Sequence, residues 1–161
     1  MASNPKWPRW VHASISKHLH AAAALVELPL VVEFLDDRSV DWRKAHYKAE
    51  VTIAGPHTRE LSKGFFRVWV DVFVVLSSNK QTDTNAFKHL DHAGAIETAL
   101  DRCIEVRKYD VGEVSPALVG ILTPRTEDGD SISIDNLKPG DSDQLIHTVI
   151  EARYLGFFSE E

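Results

Sequence analysis

The chain has 161 residues, a single cysteine and a formal charge of -6, with 43% hydrophobic and 26% charged residues. That is the composition of one ordinary globular domain, able to bury roughly two-thirds of its unfolded surface without disulfides. A lone Cys103 excludes an internal disulfide framework, and the acidic balance argues against a duplex-binding face, which shows as a basic stripe.

The first segment reads as a helix over about residues 8–26, because Trp10, Val11, Ile15, Leu19, Ala22 and Val26 recur at helical spacing. Pro8 suits a first turn, and Pro29, with no amide to donate, ends the pattern. Residues 28–35 are short, apolar and β-branched, which predicts a strand, followed by loop chemistry at Asp36, Asp37, Arg38 and Ser39. Residues 45–54 alternate, with Tyr47, Ala49, Val51 and Ile53 on one face, and Gly55-Pro56 is expected to break that strand.

The strongest strand signal covers residues 65–76. Phe66, Val68, Val70, Val72, Val74 and Leu76 make one continuous apolar face. The other face carries Phe65, Arg67, Trp69, Asp71, Phe73 and Val75, a mixture of large aromatics and charges that suits contact with another surface or partial cover by the chain itself. Residues 77–85 read as a polar loop, with Thr84 or Asn85 capping a second helix over about 86–104. Its apolar positions are Phe87, Leu90, Ala93, Ile96, Leu100, Cys103 and Ile104, which places the cysteine in the core. A stretch at 105–110 suits an extended chain, and strands are expected at 118–123, 131–135 and 145–157, separated by turn clusters at 126–130 and 136–141.

Strands therefore arrive in hairpin-like groups without a crossover helix between each pair. The expected fold is α+β, a mainly antiparallel β-sheet with two helices packed on it, in a single domain spanning 1–161. The opening lacks the basic-then-apolar order of a secretory signal. The apolar stretches 21–26 and 72–76 stop far short of the ~18 residues of a membrane span, so a soluble, cytoplasmic product is expected.

Catalytic signatures are absent from the sequence: it holds no phosphate loop, dinucleotide fingerprint or Gly-x-Ser-x-Gly elbow. His89 and His92, three apart on a helix, could share a face and supply two metal ligands, but no third stands at a recognisable spacing. The acidic pairs Asp36-Asp37, Asp128-Gly-Asp130 and Asp141-Ser-Asp143 lack the ligand order of a Ca²⁺ loop and read as solvated turns. No enzyme activity, cofactor or resident metal is expected.

The segment Asn4-Pro-Lys-Trp-Pro-Arg-Trp-Val-His-Ala-Ser-Ile15 resembles the start of a family of small phage virion proteins, with the pattern Asn-Pro-x-Trp-Pro-Arg-Trp-hydrophobic-x-Ala-Ser-Ile. Leu28-Pro-Leu-Val-Val-Glu33, the Ala54-Gly-Pro56 turn, Glu60-Leu-Ser-Lys63 and Cys103-Ile-Glu-Val-Arg-Lys-Tyr109 resemble the same family. The element order is similar to that of tail-terminator and neck proteins of long-tailed phages. The resemblance implies a small α+β subunit that forms a ring, usually hexameric, in the virion. Its partners would be further copies of itself, the tail tube protein and the head–tail connector, with DNA passing through unbound. A head-completion or connector protein is the nearest alternative, and a small cytosolic enzyme or ligand-binding domain the alternative of another class. Within the family reading, Phe65, Arg67, Trp69, Asp71 and Phe73 are candidate interface residues. Ser77, Asn79, Gln81, Asp83, Glu127, Asp128 and Asp130 are candidates for docking loops that order on contact.

Overall fold

A computed structural model describes residues 4–36, 46–79, 86–110, 112, 114–124, 132–137 and 145–160. Helix α1, Trp7–Leu25, carries proline in its first turn and buries Trp7, Trp10, Val11, Ile15, Leu19 and Ala23, one stripe at three- and four-residue steps. It stops before Pro29: Glu27 takes a left-handed φ of 53° and the Leu28 amide donates to the Ala23 carbonyl, closing the last turn. The strand expected at 28–35 is only β1, Leu30–Val32.

Strand β2, Tyr47–Ser62, runs through Gly55-Pro56 rather than ending there. Gly55 adopts φ 110°, which only glycine accepts readily, and the register with the next strand shifts between Ala54 and His57. Because β1 pairs only with Ala49, Glu50 and Val51, Pro56 lies beyond β1, on an edge where no amide is needed. The Gly55 carbonyl is met by His12 Nε2 of α1 at 2.7 Å.

Strand β3, Phe65–Asn79, is the centre of the sheet, flanked by β2 and by β7, Leu145–Ser159, both antiparallel to it. Helix α2, Phe87–Leu100, leads into β4, Ile104–Arg107; β5, Leu118–Pro124, and β6, Ile132–Leu137, follow. The strand order is β1-β2-β3-β7-β5-β4, with β6 also paired to β7, and β1–β2 is the one parallel pair among the described strands. The fold is a single α+β domain with a mostly antiparallel, curled sheet of seven strands. Among the described residues no helix is long and apolar enough to cross a membrane.

One core joins α1 and α2 to the even-numbered row of β3 (Phe66, Val68, Val70, Val72, Val74, Leu76) and to Ile150, Ala152, Tyr154 and Phe158 of β7. Trp7 meets both Phe66 and Phe158 edge to face, with ring centroids 5.2 and 5.3 Å away. A Cβ on Gly156 would lie 2.7 Å from the Ile121 carbonyl oxygen, so the close approach of β5 to β7 needs glycine there.

Two parts of the second helix differ from expectation. Its N-cap is Ala86, at φ 56° with no side-chain cap bond, rather than Thr84 or Asn85, which lie outside the described residues. Its buried face is His89, His92, Ala93, Ile96, Ala99 and Leu100, while Phe87 and Leu90 are exposed. Cys103 is not a core residue: the helix closes on Asp101, whose amide donates to the Glu97 carbonyl, and the cysteine follows it on the surface.

The Tyr154 hydroxyl donates to the Leu100 carbonyl at 2.5 Å, tying β7 to the end of α2. Burial first, then the negative charges of Asp101 and Cys103, pushes this phenol well above its ordinary value of 10.0. The folded state thus holds a proton that the unfolded chain loses above pH 10, so stability is complete below that pH and declines as pH rises. The expected slope from this group is about 1.4 kcal/mol per pH unit. Tyr154→Phe is expected to lose about 1 kcal/mol at neutral pH and to flatten the alkaline decline, read by urea denaturation between pH 8 and pH 11.

Candidate interaction surface

Strand periodicity divides β3 into two rows. The even row is buried; Phe65, Arg67, Trp69, Asp71, Phe73 and Val75 stand on the opposite face, exposed or half-buried. The antiparallel register sets neighbours beside them: Trp69 lies between His57 and Leu155, Asp71 between Ala54 and Arg153, Arg67 between Arg59 and Phe157. The five residues singled out as interface candidates therefore share one face of one strand.

Contacts along this face follow the register. Phe65 and Phe157 stack nearly parallel, 6° apart at 5.9 Å, although they are 40% and 48% exposed. Next along β3, the Arg67 guanidinium lies over the Trp69 ring at 5.8 Å, and the His57 ring lies beside it, tilted by 31° with centroids 5.5 Å apart. Then Arg153 Nε donates to Asp71 Oδ1 at 2.8 Å. A partly exposed pair of that kind contributes about 0–1 kcal/mol, so it orders the face more than it stabilises the fold.

The polar residues expected in a docking loop divide. Ser77 and Asn79 belong to β3, where they pair with His147 and Leu145 of β7. The strand extends beyond residue 76 because its polar end finds partners: Ser77 Oγ lies 2.9 Å from His147 Nδ1, and both Ser77 and Ser78 are buried. Gln81, Asp83, Glu127, Asp128 and Asp130 lie outside the described residues.

Beneath this end of β3 runs a buried polar chain. Thr148 Oγ1 donates to Asn136 Oδ1 at 2.8 Å, so its oxygen accepts from His89 Nε2–H at 2.7 Å, leaving Nδ1 to accept from the Ser78 hydroxyl. A serine–histidine pair is the raw material of nucleophilic catalysis, but Ser78 and His89 are each 2% exposed and Thr148 is fully buried, out of reach of a substrate. His92 faces Tyr47 edge-on, with centroids 5.1 Å apart. The two histidines weighed as metal ligands thus serve as core residues, and among the described residues no group of three or more His, Cys, Asp or Glu could hold a metal.

Sequence reasoning missed Phe157 and Leu61, both about half-exposed at the Phe65 end, and Phe34 after β1. The alternation of β7 marks Phe157 as opposite in face to Phe158, but only the register brings it beside Phe65.

No family model matches the chain, and no curated protein matches it. Ten solved chains do match. One of them is 15% identical, with a TM-score of 0.54 over 96% of this chain and 98% of its own. At that identity the likeness shows the fold alone.

Proposed function

We propose that this chain is a non-catalytic virion subunit, a tail terminator or neck protein that closes the top of a phage tail and docks it to the head connector. On this reading α1 and α2 pack on one face of the sheet, and the other face, centred on Trp69, is left for a neighbouring subunit. The observation that carries the proposal is the row Phe65, Arg67, Trp69, Asp71 and Phe73, aromatic and charged side chains held half-exposed beside a fully buried row. Aromatics and arginine are what the centres of protein interfaces are enriched in. The similarity of the opening Asn4–Ile15 segment to the virion family supplies the biological setting.

The assembly would be a ring of identical subunits, usually six in proteins of that class, contacting the tail tube protein below and the connector above. DNA would pass through it without specific binding. The formal charge of -6 suits that passage, because a basic channel would hold phosphate through counterion release.

The test uses purified protein mixed with uncapped tail tubes, with ring formation read by electron microscopy and solution mass. Trp69→Glu is expected to leave a folded monomer that no longer caps tubes. Rings that persist in this variant would remove the face from the assembly, and loss of folding would assign Trp69 to the core.

A further inference from the structure

The turn after β1 is held in an unusual way. Leu35 and Asp36 amides both donate to the Val32 carbonyl, while the Asp36 carboxylate accepts from the Val32 amide at 2.6 Å and lies 2.8 Å from His20 Nε2. Between these anchors Phe34 sits at φ 68°, a left-handed conformation that is an outlier for a bulky side chain, and is 92% exposed. Burial does nothing to keep a phenylalanine there. Backbone strain that the surroundings over-determine is a mark of a functional position, and here the strained residue is an apolar knob flanked by Glu33 and Asp36.

At the far end of the sheet lies a surface of opposite character. Leu61, Phe65 and Phe157 are exposed there, with Arg59 and Lys63 exposed beside them and Arg67 half-buried. Glu60 and Glu160 also stand at this end, and Glu60 accepts from the Gly64 amide at 3.3 Å, which leaves cations in the majority. The two surfaces do not meet within one chain. Thr52, which donates to Glu33 at 3.1 Å, pairs with Phe73, and eight residues of β3 from there to Phe65 span about 25 Å. An acidic apolar knob and a basic aromatic patch, set well apart on one subunit, are what a head-to-tail contact requires.

We propose that the Glu33–Asp36 turn of one copy seats Phe34 against the Phe65–Phe157 patch of the next copy, with Arg59 and Lys63 facing the acidic flanks. This rests on the self-associating reading above and names the pair of surfaces that would close the ring. The stacked rings of Phe65 and Phe157, each about half-exposed, supply the apolar contact for Phe34. The charges set direction, since a second knob meeting a knob, or patch meeting patch, opposes like charges.

The experiment measures solution mass by light scattering and sedimentation for three proteins: wild type, Phe34→Ser, and Arg59→Glu/Lys63→Glu. All these positions are exposed, and thermal melts confirm that each variant folds. Wild type is expected to form assemblies larger than a dimer, weakened by added salt. Each variant alone is expected to associate roughly thirtyfold more weakly, the effect of losing one anchoring contact. Mixed in equal amounts, the two variants are expected to stop at dimers, because one supplies an intact turn and the other an intact patch. Variants that assemble like wild type overturn the proposal while leaving ring formation itself standing. Variants that are both monomeric and stay monomeric on mixing overturn it as well, since a knob-and-patch contact must be rescued in trans. Wild type that remains monomeric up to about 1 mM overturns this contact between free subunits, and tube capping then still decides the terminator reading.

Discussion

Alanine at Trp7 is expected to lower the unfolding free energy by about 3–5 kcal/mol, a large share of the 5–15 kcal/mol that holds a typical domain. Trp7 is 1% exposed, sits in the first turn of α1, and meets Phe66 of β3 and Phe158 of β7 edge to face. Removing the indole opens a cavity between a helix end and two neighbouring strands, and strands locked in register by β3–β7 pairing over their whole length cannot close in to fill it. Phe34→Ala is the matched control. It also deletes an aromatic ring, but from a position 92% exposed, and is expected to change stability by no more than about 0.5 kcal/mol. Urea denaturation of both variants checks the contrast. A loss below about 1 kcal/mol at Trp7 would mean that the first turn of α1 is not fastened to the sheet as described.

The contrast between those two aromatics also shows where sequence reading ends. The long strand at 65–76 was legible because alternation is a direct consequence of the pleat, and every even residue from Phe66 to Leu76 is indeed buried. The same periodicity placed α1 to within a residue at each end. What failed was wherever tertiary partners overrode local pattern. Trp7 precedes the expected helix start and reads as a flanking residue, yet it becomes a core wedge once β7 lies beside β3. Gly55-Pro56 reads as a strand break, but an edge position tolerates a missing amide, and His12 from α1 satisfies the Gly55 carbonyl.

The interaction surface was half legible for a related reason. The odd row of β3 follows from period two within one strand. Its neighbours His57, Arg153 and Phe157 come from the adjoining strands β2 and β7, and only the register sets them beside Trp69, Asp71 and Phe65. A one-residue slip of β7 would send Phe157 to the core and Phe158 to the surface. No local pattern signals the exposed Phe34, because its position depends on an Asp36 carboxylate bonded to the Val32 amide and set against His20.

The inward turn of His89 is the clearest override, and it yields the most informative substitution. Apolar periodicity assigns the buried face of α2 to Phe87 and Leu90, yet both are exposed while His89 and His92 are buried. The reason is polar: β3 sets Ser78 and β7 sets Thr148 inside the core, and the imidazole bonds both hydroxyls, where an apolar side chain would leave Ser78 unbonded and Thr148 with Asn136 alone. His89→Leu is therefore expected to destabilise by roughly 2–4 kcal/mol, although it places a hydrophobic residue in a hydrophobic core, because two buried hydroxyls lose a partner. Replacing the whole chain together, Ser78→Ala, His89→Leu and Thr148→Val, is expected to recover most of that loss, since no orphaned buried group remains and Asn136 at the end of the chain is exposed to water. Midpoints of urea unfolding for the single and triple variants, compared as a thermodynamic cycle, measure the coupling directly. A triple variant less stable than His89→Leu alone would show that the three substitutions act by lost packing, and that the hydrogen-bonded chain is not what turns this face of α2 inward.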